Sequence, residues 1–192
     1  MLLGLLSDTH GAQATTAQAI ELLRQAGAEA FVHCGDVGSA DILDELAGTQ
    51  AWVVLGNTDA GDENLVRHGA ALGLTVARAG PLRIELAGRS LAIFHGHEGR
   101  FARLMRSLVE QGAVPTDYAA CDYVLHGHTH MPRDVRLGPL VVRDRVRPLP
   151  GGDRVRSLRI INPGALHRAA EHTVAILDLQ ADSVRFLRVP GA

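Results

Sequence analysis

The 192-residue chain contains no lysine, so all 19 of its basic residues are arginines. Schiff-base catalysis by lysine is therefore excluded, as is a P-loop with its phosphate-binding lysine; biased genomic composition accounts for the absence itself. Cysteine is nearly missing too. Cys34 and Cys121 are the only two, too few for a disulfide framework and not arranged as a CxxC pair. Cys34 lies in an apolar run and reads as an inert buried thiol. Aromatic residues make up 4% of the chain, so a core has to be built from Ala, Val, Leu and Ile. The formal net charge of -2 lacks the basic excess of an electrostatic nucleic-acid binder, although a nuclease that grips phosphate through metals stays open. No run approaches the ~18 apolar residues of a membrane span. Met1 to Leu6 is apolar, but no charged region precedes it and it turns polar at Ser7, so it reads as a strand rather than a signal peptide. A cytoplasmic protein with neither membrane nor nucleic acid as partner is expected.

Hydrophobic residues at 46% and charged residues at 21% fit an ordinary globular protein. The length suits one domain with a substantial core, and no internal repeat or boundary divides it. Apolar runs at Leu2–Leu6, Ala30–Val32 and Ala51–Leu55 alternate with segments of helical spacing at Ala14–Ala26, Ser39–Leu46 and Asp62–Leu72, with Ser39 placed as an N-cap. This βαβαβ order predicts a parallel sheet with crossover helices. The pattern then changes. Leu82–Leu86 and Leu91–Phe94 flank Gly88-Arg89 as a hairpin, followed by a helix over Arg100–Gln111 and a strand at Tyr123–Leu125. From Val135 the runs Leu140–Val142, Leu158–Ile161, Thr173–Leu179 and Val184–Val189 read as antiparallel, with Asp144–Arg156 as an exposed loop or hairpin tip. Pattern alone predicts an α/β fold with a mixed sheet or two sheets.

The chemistry lies in the segments immediately after the strands. Leu5-Leu6 runs into Ser7-Asp8-Thr9-His10, and Phe31-Val32 into His33-Cys34-Gly35-Asp36. Val54-Leu55 leads to Gly56-Asn57-Thr58-Asp59, and Ile93-Phe94 to His95-Gly96-His97. Val124-Leu125 leads to His126-Gly127-His128-Thr129-His130, and Ile160-Ile161 to Asn162-Pro163-Gly164. Ligand crevices of open α/β sheets lie beyond the carboxyl ends of the strands. Six strands thus deliver Asp, His and Asn to one edge, where seven of the 10 histidines fall. Any one piece could be a turn. Turn chemistry, however, does not call for so many imidazoles. Imidazole, carboxylate and amide ligands suit Zn, Fe, Mn or Ni. Seven ligands are too many for one ion, but two divalent metal ions sharing a carboxylate would use them. Such a pair would activate a bridging hydroxide and clamp the oxygens of an in-line phosphoryl displacement.

In order and spacing these segments resemble the motif series of the calcineurin-like metallophosphoesterases. Asn162-Pro163-Gly164-Ala165 looks like the Asn-Pro-Gly-Ser turn of the family's small bacterial and archaeal phosphodiesterase branch. The resemblance spans residues 8–165 and implies a sandwich of two sheets flanked by helices, formed by a single domain over residues 1–192. It implies a phosphodiesterase acting on a small phosphate ester, and allows a homo-oligomer. By position, Asp8, His10 and His130 would hold one metal, and Asn57, His95 and His128 the other, with Asp36 bridging. Asp59 would orient a ligand or Asn57, and His97 would face substrate; these two are the candidate catalytic side chains. His33 and His126 read as supporting residues, and His68, His167 and His172 have no site context, although His167 and Arg168 follow the Asn-Pro-Gly turn within reach of a bound phosphate. One departure from protein-phosphatase relatives is Thr58, which stands where they carry the histidine that serves the leaving group; good leaving groups should therefore be preferred. A second is the long stretch 137–159, read as a surface insertion, with a partner-binding hairpin as the other reading. A non-catalytic scaffold on the same fold is the alternative function, and a DNA-repair nuclease a third.

Overall fold

The computed structural model describes residues 1–143 and 154–190. Sheet A contains β1 (Leu2–Leu6), β2 (Ala30–His33), β3 (Ala51–Val54) and β4 (Thr75–Ala77), all parallel. Between them run α1 (Gln13–Gln25), α2 (Ala40–Asp44) and α3 (Glu63–Ala71). Sheet B is built from β5 (Leu82–Leu86), β6 (Arg89–Ile93), β7 (Ala113–Pro115), β8 (Tyr123–Leu125), β9 (Arg133–Arg143) and β10 (Arg154–Asn162). Helix α4 (Gly99–Gln111) and the 3-10 turn Thr116–Tyr118 cover its outer face. The chain then returns to sheet A as β11 (Thr173–Asp178) and β12 (Ser183–Arg188). Strand order is β12-β11-β1-β2-β3-β4 in one sheet and β5-β6-β8-β10-β9-β7 in the other.

The period-2 alternation of a strand explains the layers. In β1, Leu3 and Leu5 point between the sheets and meet Leu91, Ile93 and Leu125. Leu6, on the other face, joins Ile20, Leu23 and Phe31 under the helices. Gly4 shares that face because a Cβ there would come within 2.9 Å of the Phe31 ring. A third cluster, around Phe94, Phe101 and Leu104, seats α4 on sheet B. The result is the expected helix–sheet–sheet–helix sandwich.

Four details differ from the sequence reading. β4 and β7 are three residues each, too short to carry a hydrophobic period. β10 pairs antiparallel with β9 but parallel with β8, and β11 crosses to sheet A to lie antiparallel to β1; partner choice is a tertiary matter that alternation does not encode. Ser39 occupies the N-cap position of α2 with extended backbone, yet its side chain makes no capping bond. The stretch 137–159 includes paired β9 and β10 residues, with Leu158 opposite Leu137 and Arg154 opposite Val142; the loop placed at 144–156 falls mainly on 144–153, outside the described residues.

Two sets of parallel strands place the site. β1, β2 and β3 end side by side in sheet A, and β6, β8 and β10 in sheet B. All six carboxyl ends feed the loops that carry the Asp, His and Asn motifs.

Candidate metal centre

The loops at those six ends are tied to one another before any side chain is considered. Asp8 N–H donates to the Gly35 carbonyl and His10 N–H to the Asp36 carbonyl, joining the β1 and β2 loops. Gly127 N–H donates to the His95 carbonyl within sheet B. Side chains then bridge the sheets, among them Asp8, whose carboxylate accepts His128 N–H at 3.0 Å, and His95, whose ring donates to the Cys34 carbonyl at 2.8 Å. Glycines leave the space for these approaches. At Gly35 a Cβ would press on the His95 ring at 2.5 Å, and at Gly56 and Gly127 it would overlap the carboxylates of Asp36 and Asp8.

The seven candidate ligands come together. His130 Nε2 lies 3.2 Å from Asp8 Oδ1, and His10 Nε2 lies 3.5 Å from Asp36 Oδ2. His95 Nε2 is 3.4 Å from the same Asp36 oxygen, 3.1 Å from Asn57 Oδ1 and 4.0 Å from Asp8 Oδ1. The His128 ring stands edge-on to His95 with centroids 5.0 Å apart. Ligand atoms of Asp8, His10 and His130 lie within 4.8 Å of one another, and so do those of Asp8, Asp36 and His95.

Tautomers follow from the partners. A carbonyl only accepts, so His95 Nδ1–H donates to Cys34 and His130 Nδ1–H donates to the Arg168 carbonyl at 3.3 Å. When neutral, both rings therefore turn an Nε2 lone pair toward carboxylate or amide oxygens. In that form lone pair faces lone pair at 3.1–3.4 Å, a repulsion relieved by a positive charge between them, either a proton on Nε2 or a bound cation. His10 Nε2 is likewise buried with no hydrogen-bond partner, which is costly without a ligand. The donor set fits divalent cations of borderline hardness.

Burial is the first influence on titration in the site. Burial pushes the Asp8 carboxyl upward. For Asp36, burial also pushes upward but is outweighed by His95 and the Thr58 N–H, so its carboxyl sits below the usual range. Burial opposes charge on His95, yet Asp36, the Cys34 carbonyl and Asp8 prevail and raise it. His10 and His128 are lowered, chiefly by burial. The pocket holds two buried carboxylates, and of His10, His95 and His128 only His95 is drawn toward its charged form.

The remaining expected residues surround this core. Asp59 is buried and accepts N–H groups of Val37, Gly38 and Gly56 at 2.8–2.9 Å. It locks the turns that carry Asp36 and Asn57, and its hydrogen bonds go to backbone rather than to the Asn57 side chain. His97 is exposed at the mouth, its ring centroid 5.4 Å from that of His95. Thr58 N–H donates to Asp36 Oδ1 at 3.0 Å. His33 has the opposite tautomer: Gly35 N–H donates to its Nδ1, so Nε2–H points to the Thr9 hydroxyl and no lone pair is left for a metal.

Two further residues support the site: Glu98, which escaped the sequence reading, and Asn162, whose turn the sequence reading singled out without giving it a role. Glu98 is buried at the N-terminus of α4 and accepts the N–H groups of Gly80, His95 and Gly96, fixing the His95 loop; burial pushes it up, but those bonds prevail and hold it ionised. Asn162 donates to the Gly127 carbonyl and the Thr129 hydroxyl and accepts Gly164 N–H, pinning the His128–His130 turn. A lone Glu before a helix and an Asn before Pro-Gly carry no signal of such reach. His167 also comes close, its ring centroid 5.7 Å from that of His10.

Residues 1–182 match the calcineurin-like phosphoesterase superfamily domain. The chain belongs to that family. It is 25% identical over 189 residues to a phosphodiesterase of Methanocaldococcus jannaschii, covering 96% of this chain and 97% of that protein. Among solved structures it is similar to an archaeal phosphodiesterase, with TM-score 0.71 and 22% identity over 98% of this chain and 99% of the other. A phosphoesterase from E. coli matches with TM-score 0.58 and 20% identity over 99% and 100% of the two chains. The fold of these neighbours is the two-sheet sandwich described above. The chain is thus a metallophosphoesterase, with a set of side chains able to hold metal. No described helix is long and apolar enough to cross a membrane.

Proposed function

We propose that the protein is a phosphodiesterase that works with two divalent cations. The observation that carries this reading is the convergence of His95 and His130 Nε2, with Nδ1–H tied to carbonyls, on Asp8, Asp36 and Asn57. Asp8, His10 and His130 would hold one cation, Asn57, His95 and His128 the other, and Asp36 both. When bound, the cations lower the pKa of a water toward neutrality and offset charge on the phosphoryl oxygens. The chain's own residues supply geometry. Asp59, Glu98 and Asn162 hold the ligand turns, and ligands kept in place this way need no reorganisation during the reaction. His97 and Arg168 stand at the rim to meet the substrate phosphate. The relative named a phosphodiesterase supports the diester class. A non-catalytic scaffold is disfavoured because all seven ligand positions keep competent side chains.

The test is hydrolysis of a chromogenic phosphodiester and the matching monoester by chelated protein, before and after adding Mn²⁺, Ni²⁺ or Zn²⁺ singly. Metal-dependent diester cleavage that falls at least a hundredfold in Asp36→Ala is expected. Absence of turnover with every metal would sink the reading.

A further inference from the structure

His33 closes β2 beside the metal centre, yet it is not among the residues that would hold a cation or meet substrate. It is wholly buried, as is Thr9, and Thr9 Oγ lies 3.0 Å from its Nε2. The direction of each bond around this pair is fixed. Gly35 N–H can only donate, and it meets His33 Nδ1 at 3.1 Å. That requires a neutral ring with its proton on Nε2, which goes to Thr9 Oγ. The Thr9 hydroxyl proton goes in turn to the Val37 carbonyl at 2.9 Å, with the Asp36 carbonyl at 3.3 Å. The circuit thus leaves the β2 loop at Gly35, crosses to the β1 loop and returns at Val37.

It encloses the part of the site that is hardest to hold. Gly35 and Val37 flank Asp36, and Thr9 stands between Asp8 and His10. Asp8, His10 and Asp36 have φ of 54°, 44° and 54°. Such left-handed conformations persist only where the surrounding structure over-determines them. Backbone N–H groups of Asp8, His10 and Gly11 do part of this by donating to the carbonyls of Gly35, Asp36 and Val37. Those bonds survive a change of side chain, whereas the circuit is removed by one substitution. A pair needed only for packing could be apolar, because buried polar groups are costly unless satisfied. Here both ring nitrogens and the hydroxyl are satisfied, and a fully satisfied buried network rigidifies its surroundings. By contrast, His10 and His126 in neighbouring loops each leave Nε2 buried without a hydrogen-bond partner.

We propose that Thr9 and His33 are positioning residues, whose circuit sets Asp8 and His10 against Asp36 at the spacing a cation needs. This role rests on the two-cation reading, and calorimetric titration of chelated protein with Mn²⁺ separates the two. Thr9→Val removes the hydroxyl at nearly constant shape. His33→Asn cuts the same link from the other side, while its amide oxygen can still accept Gly35 N–H. Each variant is expected to bind Mn²⁺ about 10–100-fold more weakly, the range for residues that orient metal ligands. Thr9→Ser restores the hydroxyl and should bind within about threefold of the parent. Because the single variants break one link, the double variant should lose no more than about threefold beyond the weaker-binding single. Metal-free Thr9→Val should keep the circular dichroism of the parent, since the Val37 carbonyl retains Gly11 N–H. A parent that binds no Mn²⁺ would overturn the two-cation reading and the positioning role together. With parent binding intact, the positioning role alone falls if Thr9→Val binds as tightly, if Thr9→Ser does not rescue, or if the two losses multiply. It falls equally if metal-free Thr9→Val does not fold, which would make the pair a support of the fold alone.

Discussion

Five of the seven candidate ligands hold backbone conformations that L-residues avoid. Asp8, His10, Asp36, His128 and His130 all have φ between 44° and 69°, a left-handed geometry that costs on the order of 1–3 kcal/mol per residue. It lets the chain turn sharply past each strand end so that the side chain points back into the crevice. His128 tests whether this strain serves function, because its side chain is exposed and the bond it gives to Asp8 comes from the backbone N–H. Metal-free His128→Gly should melt about 2–4 °C above His128→Ala, since only glycine takes that φ without penalty. Both should lose metal affinity by at least tenfold. If alanine proves the more stable replacement, the left-handed geometry carries no such cost. Arg168 belongs at this scale as well. Its carbonyl sets the His130 tautomer, a role any residue could fill, so its side chain is free to act on substrate. Arg168→Ala should raise KM roughly tenfold with kcat little changed; a fall in kcat alone would move Arg168 from binding substrate to shaping the centre. The convergence of the seven candidate positions was legible in the sequence because each lies in a segment that follows an apolar run. Glu98 and the supporting role of Asn162 were not, because their partners are 18 or more residues away, or backbone groups that no side-chain motif records.

Elements carry the site through the places where loops nearly touch. Gly56, two residues past the end of β3, lies against Asp36, and a methyl group there would come within 2.8 Å of the carboxylate carbon. Gly56→Ala should therefore displace Asp36, reducing metal-dependent turnover by about 10–100-fold, the usual cost of disturbing a ligand's support. Turnover within a factor of two of the parent would show that the loop gives way more easily than the contacts suggest. The strands that present these loops were readable from period-2 alternation, and β1 to β3 were recognisable as parallel from the helices between them. Sheet B was harder. β7 is too short to show a period, and β10 reads equally well as the partner of β9 or of β8, when it is both.

At the scale of the molecule, the sandwich buries histidines that must remain neutral. His126 lies beneath Phe101 of α4, with ring centroids 4.7 Å apart. Burial lowers its pKa to about 4, the Gly127 carbonyl opposing only in part; burial pushes His33 in the same direction. Above pH 6.5 the ring is neutral whether the chain is folded or not, and the full contribution to stability is present. As pH falls below 6.5 the unfolded chain takes up a proton that the folded state refuses, so stability declines by up to ~1.4 kcal/mol per pH unit for each such ring. The decline ends near pH 4, where His126 protonates in the folded state too. Urea unfolding of the chelated protein at pH 6.5, 5.5 and 4.5 should show this slope. His126→Asn, which keeps a donor for the Gly127 carbonyl, should be less stable at pH 7 yet lose less stability on acidification. Parallel pH profiles for parent and variant would mean that His126 takes up its proton at the ordinary pH, and that the packing of α4 over the β8 loop is looser than the structure describes.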